Sequence, residues 1–129
     1  MAEMLLDVTV FNDLREGDIE ARRLIETILD GTAKAAVSSL TVCELWHRGE
    51  IDRRTEIGFL SVLRFVEEIT PDFEISRTAG LWLANCDEFN GRDATYVTLT
   101  AATAKKHGIP ICTRDVEAFE QFGIEITAY

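Results

Sequence analysis

The sequence predicts an α/β fold: a single domain over residues 1–129 with a mostly parallel central sheet and helices on both faces. Three observations predict it. Short apolar runs at residues 4–8, 35–37, 66–69 and 109–112 alternate with longer stretches of helical period. The runs are nearly continuous rather than alternating, which suits strands covered on both faces. The 129 residues are 47% hydrophobic and 28% charged, with no Pro/Gly/Ser linker and no repeat, so nothing marks an internal boundary.

The elements follow in order. Residues 4–8 form the first strand, ending near Asp7. Asp18 caps a helix in which Ala21, Leu24, Ile25, Ile28 and Leu29 share one face, stopped near Asp30-Gly31. Residues 35–37 are a second strand, and a helix starts at about Thr41 and runs to about Arg48-Gly49. Another helix covers 53–65. Residues 66–69 are a third strand, closed by Thr70-Pro71-Asp72, before a helix from Phe73 that carries Ala79, Trp82, Leu83 and Cys86 towards Asn90-Gly91. Residues 93–107 read as a long apolar helix ended by Gly108. A fourth strand at 109–112, a short helix at 115–121 and a last strand at 124–127 complete the chain.

The formal net charge is −10, from 13 basic and 23 acidic residues. That excludes a protein gripping nucleic acid mainly through a blanket of Lys and Arg. It does not exclude a metal enzyme acting on nucleic acid, because bound cations reverse the local field. No run reaches the length of a membrane span, and Met1-Ala2-Glu3 lacks a basic leader, so a soluble, cytoplasmic protein with no membrane partner is expected. Cys43, Cys86 and Cys112 have no metal-ligand spacing and read as buried small hydrophobes.

Active sites of parallel sheets lie beyond the carboxyl ends of the strands, and four acids fall at such places: Asp7, Glu44, Asp93 and Asp115. Each has a structural explanation. Thr41-x-x-Glu44 fits a capping box, and Asp93 and Asp115 fit N-caps. Asp7 is harder to explain that way, since a carboxylate at the end of an apolar strand needs a charged or hydrogen-bonding partner. Several acids gathered from different strand ends would repel one another unless a cation neutralised them, and Mg²⁺ or Mn²⁺ prefers such hard oxygen ligands.

Three stretches carry a resemblance. Leu5-Leu6-Asp7-Val8-Thr9-Val10-Phe11, Ser39-Leu40-Thr41-Val42-Cys43-Glu44-Leu45, and Ala101-Ala102-Thr103-Ala104 with Gly108, Thr113-Arg114-Asp115 and Phe119 resemble PIN domains, in particular the VapC-type ribonuclease toxins of prokaryotic toxin–antitoxin modules. The resemblance covers essentially the whole chain. It implies a PIN-like nuclease domain, a Mg²⁺- or Mn²⁺-dependent endoribonuclease site, an RNA substrate, a cognate antitoxin and a homodimer. By position it makes Asp7 the first metal-binding acid, Glu44 the second and Asp115 the last, and Thr9 the small polar residue beside the first.

The third acid departs from the family's pattern. The position eleven residues before Gly108 is Val97, and the acid at the helix start, Asp93, lies four residues earlier. Four residues are about one helical turn, near 6 Å, and keep Asp93 on the same face. Asp93 is taken as the ligand, with Asp87 and Glu88 as weaker candidates. Thr9, Thr113 and Arg114 are candidates for steadying the acids or touching substrate, and Arg114 can pair with a carboxylate or meet a phosphate.

Trp46 and His47 read as core or subunit-interface packing, His107 as a helix C-terminal cation, and Arg22-Arg23 and Arg53-Arg54 as solvated faces. The leading expectation is metal-dependent hydrolysis of an RNA phosphodiester. The alternative is a catalytically inactive PIN-like module acting in interaction or regulation. A receiver-type phosphoacceptor domain needs a Lys at the end of the final strand and an acid pair after the first; Ile124 to Tyr129 and Asp7-Val8-Thr9 supply neither.

Overall fold

Leu5 and Leu6 are adjacent and both wholly buried, yet they belong to opposite hydrophobic clusters. Successive strand side chains point to opposite faces, so this pair marks a strand covered on both sides. It is β1 (Met4–Leu6), the centre of a five-stranded sheet in the computed structural model, which describes residues 1–47, 50–85, 89 and 91–129. The other strands are β2 (Ala35–Ser38), β3 (Glu67–Ile69), β4 (Ile111–Cys112) and β5 (Ile126–Thr127), in the order β3-β2-β1-β4-β5 with every pairing parallel. The chain steps outward from β1 through β2 to β3, then crosses back to β4 beside β1. The order therefore reverses at β1, and the crevice beyond the carboxyl ends of β1 and β4 is the switch point where α/β sheets hold ligands.

Among the described residues seven helices cover the sheet: α1 (Val8–Arg15), α2 (Ile19–Leu29), α3 (Ser39–His47), α4 (Arg53–Leu63), α5 (Phe73–Asn85), α6 (Ala94–His107) and α7 (Val116–Glu120). One core cluster joins Leu6, Val37 and Cys112 to Phe11, Ile25 and Phe59 of α1, α2 and α4. The other joins Leu5, Ala36 and Ile111 to Val97 and Ala101 of α6 and Phe119 of α7. Alternate strand residues thus set which helices pack where.

Helix α6 lies between the sheet and α5, packed on Ile75 and Ala79 through Ala102. Its small residues allow close approach on both sides, and its buried Thr98, Thr100 and Thr103 hydroxyls donate to the carbonyls of Ala94, Tyr96 and Leu99 at 2.9, 2.7 and 2.7 Å, so no hydroxyl is stranded. Gly108 closes α6 at φ +64°, with its N–H on the Lys105 carbonyl and the Ile109 N–H on Ala104. This is the Schellman closure that the Gly signalled.

The expected α/β sheet is present, and all of its described pairings are parallel. Helix α1 was not expected: Val8-Thr9-Val10-Phe11 has the β-branched and aromatic composition of a strand, but burial of Val8, Val10 and Phe11 against the sheet overrides that preference. Helix α3 begins at Ser39, earlier than Thr41, so Thr41 is inside the helix and is not its cap. Cys112 is buried as expected. Cys43 is exposed instead, because Thr41, Glu44 and Leu45 define the inward face of α3 and position 43 falls outside it. The end of α3 near Arg48-Gly49, and Cys86, lie outside the described residues. None of the described helices is long and apolar enough to cross a membrane.

Candidate functional site

Asp7 follows β1 directly and occupies the N-cap of α1, at φ −82° and ψ 162°, yet its side chain makes no capping bond. Asp115 likewise stands at the N-cap of α7 without one. Asp18 and Asp52, by contrast, accept from the amides of Ala21 and Thr55, the ordinary N-cap bond. These two non-capping aspartates face the switch point. Glu44, wholly buried on the inward face of α3, reaches the same place from the β2 side.

These three acids converge on one guanidinium, that of Arg92. Its Nη1 and Nη2 donate to Asp7 Oδ2 and Oδ1 at 2.8 and 3.0 Å, a bidentate pair. Nη2 also meets Glu44 Oε1 and Oε2 at 3.3 and 3.2 Å, and Nη1 meets Asp115 Oδ2 at 3.4 Å. The Arg92 side chain is 7% exposed and lies over the Phe119 ring, 5.5 Å from its centroid. The backbone that delivers it bends at Gly91, φ +75°, with the Arg92 N–H donating to the Phe89 carbonyl. Burial works against the charge on Arg92, but the hydrogen bond to Asp7 and the fields of Asp7 and Glu44 outweigh it and hold the guanidinium protonated beyond its ordinary range. Among the described residues, three carboxylates thus meet one guanidinium in a largely buried place.

Two threonines aim Asp7. The Thr113 hydroxyl, wholly buried just past β4, donates to Asp7 Oδ2 at 2.8 Å and accepts from the Asp115 N–H at 2.9 Å, tying the first acid to the last. Thr9 lies 3.2 Å from Thr113 and 3.3 Å from Asp7, and accepts from the Arg114 N–H at 3.0 Å. Below them the buried Cys112 thiol is pushed up to about 11 by burial, with the Asp7 charge adding to it, so it stays neutral. Replacing Thr113 with Val is expected to strip a donor from Asp7 and leave the Asp115 amide without its acceptor. The expected cost is about 1–3 kcal/mol, and Thr113→Ser should retain most of the stability. Urea unfolding checks this; equal stability of the Val and Ser variants would contradict it.

Asp93 stands differently. It is exposed and accepts from the Thr95 N–H at 2.9 Å as the N-cap of α6, while lining a hollow of about 190 Å³ with Glu44, His47, Gly91, Arg92 and Tyr96. Val97, one turn on, is wholly buried in an apolar cluster, where a charged side chain would be costly without a partner. Asp87 and Glu88 lie outside the described residues. Arg114 takes the carboxylate option: it pairs with Asp18 at 2.9 Å and Asp13 at 3.6 Å and stacks over Tyr129 at 4.4 Å. It also borders the second hollow beside Arg92, about 400 Å³, with Thr9, Asn12, Asp13 and Asp115. Trp46 packs edge-on against Phe59 and donates to Glu56, whereas His47 is exposed, 6.2 Å from the Tyr96 ring.

Arg92 is the residue the sequence did not disclose. The available signal was electrostatic: converging acids require positive charge, and an Arg stands immediately before the cap of the long helix. Among the described residues no three Asp, Glu, His or Cys side chains stand as a ready metal cage; Asp7, Glu44 and Asp115 are spread around the guanidinium. The donor set itself fits a hard divalent ion, since it consists of three carboxylates.

The fold has counterparts. DNA-bound VapBC from Salmonella typhimurium superposes with TM-score 0.78 at 19% identity, over 99% of this chain and 98% of that one. VapBC2 from Rickettsia felis, bound to a promoter DNA fragment, gives 0.75 at 14% identity over 98% of each. Mycobacterium tuberculosis VapC20, a toxin that cleaves the Sarcin-Ricin loop, gives 0.66 at 17% identity over 96% and 98%. No curated protein matches the chain by sequence. The PIN domain family model matches residues 4–124, nearly the whole chain with both terminal acids of the cluster inside it, and the chain belongs to the PIN domain family.

Proposed function

We propose that this chain is a divalent-metal-dependent endoribonuclease, the toxin of a toxin–antitoxin pair, acting in the cytoplasm as one nuclease domain over residues 1–129. The observation that carries the reading is the convergence of Asp7, Glu44 and Asp115 on one point at the switch point of the sheet. Membership of the PIN family supports it, as do the VapBC complexes and VapC20, a toxin that cleaves the Sarcin-Ricin loop, among the structural neighbours.

In this reading Asp7, Glu44 and Asp115 hold Mg²⁺ or Mn²⁺, and Asp93 at the rim is the candidate fourth acid. When bound, the ion lowers the pKa of water and stabilises charge on the phosphate. The chain's own residues do the rest. Thr113 and Thr9 fix the orientation of Asp7, which is the usual role of groups behind a ligand. The hollows on either side of Arg92 give an RNA strand room to lie across the acids. Arg114, engaged by Asp13 and Asp18, shapes the wall of the larger hollow.

The purified protein is expected to cut single-stranded RNA internally in Mn²⁺ and to stop on addition of EDTA. Cleavage unaffected by EDTA would overturn the metal requirement. A second reading, an inactive PIN-like module serving interaction or regulation, is favoured by one observation: Arg92 already neutralises part of the acid cluster. Absence of cleavage at any Mn²⁺ concentration would favour it.

The proposed partners are an antitoxin and a second copy of the chain. Exposed Ile57 and Leu60 on α4, with Phe65 just beyond it, offer apolar surface for such contacts. Sedimentation at micromolar concentration is expected to give a two-fold dimer, twice the chain mass of 14.5 kDa. A 14.5 kDa species would contradict it.

A further inference from the structure

The Arg92 guanidinium lies where an ion bridging Asp7, Glu44 and Asp115 would have to be, since its two terminal nitrogens touch all three acids. Two cations cannot share that point. Arg does not lose its proton in a protein, so Arg92 cannot vacate the place by deprotonation; another cation can take over its charge. We infer that Arg92 is a tethered counter-cation that a divalent metal ion must displace, and that this exchange sets the metal affinity of the site. The inference rests on the metal-dependent reading above and adds to it a residue that governs occupancy.

Three features suit Arg92 to leaving. Its Nε is buried with no hydrogen-bond partner, so the resting contact is incomplete at that nitrogen. The contacts to Glu44 and Asp115, at 3.2–3.4 Å, are long for charged pairs. Gly91 next to it has φ +75°, a backbone setting reached by Gly at little cost, and an open hollow lies on each side. One feature holds it back: the bidentate pair with the wholly buried Asp7. The consequence is that the apparent affinity for metal is reduced by the fraction of molecules in which Arg92 is off the acids. In the protein without metal, Arg92 also offsets the mutual repulsion of the three carboxylates.

Calorimetric titration of the full chain with Mn²⁺ tests this. Arg92→Gln is expected to bind Mn²⁺ at least about tenfold more tightly than the wild type. It should also melt at a lower temperature without metal and recover on adding Mn²⁺. Equal or weaker Mn²⁺ binding by Arg92→Gln would overturn the inference while leaving the metal site standing. Absence of Mn²⁺ binding by both proteins would overturn the underlying reading as well. Should Arg92→Gln not fold, the unaltered protein serves: the Arg92 side-chain N–H resonance should move to a solvent-exposed position as Mg²⁺ is added, and an unchanged resonance while Mg²⁺ binds would overturn the exchange.

Discussion

Asp7→Asn is expected to lower Mn²⁺-dependent RNA cleavage by at least about a hundredfold, since a metal-held reaction draws several kcal/mol from its ligand set. The fold should survive. Arg92 keeps Glu44 and Asp115 as partners, the Asn oxygen can still accept from Thr113, and the cluster carries one negative charge fewer. Circular dichroism and melting of the variant separate loss of chemistry from loss of structure. Cleavage at the wild-type rate by folded Asp7→Asn would remove Asp7 from the metal site.

Glu44→Gln carries the second large effect. Glu at this position fits a capping box by sequence, and Gln can replace Glu in that role. The structure places the start of α3 at Ser39 and turns the Glu44 carboxylate onto Arg92, so the ligand role is the one at stake. Mn²⁺ binding is expected to weaken by at least about tenfold, the lower end of what altering a group around a metal ligand costs, while helix α3 and the melting profile stay near wild type. Unchanged Mn²⁺ binding in Glu44→Gln would return this residue to a structural role.

The fold was largely legible because its signals are local. The apolar runs of β1 and β2, the periodic face of α2 and the Gly108 closure of α6 each lie within a few consecutive residues. Helix α1 was not legible, since Val8 to Phe11 favours a strand locally and turns helical only through burial against Ile25, Val37 and Phe59 from distant parts of the chain. The site divides the same way. Asp7, Glu44 and Asp115 could be picked out because they follow strands, and strand ends converge in a parallel sheet. Thr113 was a weaker candidate, and its bonds to both Asp7 and the Asp115 amide give it a definite part.

Asp93 illustrates the limit of spacing as a guide. Its position one turn before Val97 is compatible with reaching the cluster, and the structure shows it capping α6 at the rim beside Glu44. Asp93→Ser, which keeps a competent cap, therefore separates the roles: retained cleavage means that three acids suffice. Arg92 was invisible to spacing altogether, because its function depends on a side chain entering a cluster built from residues 85, 48 and 23 positions away.

Asp7, Glu44 and Asp115 are proposed to form one divalent-cation site. Anomalous diffraction from crystals soaked in Mn²⁺ tests it most directly. A single strong peak bounded by the carboxylates of Asp7, Glu44 and Asp115 is expected, with the Arg92 guanidinium withdrawn from them. A structure at saturating Mn²⁺ with no peak there, and Arg92 still seated on the three acids, would contradict it.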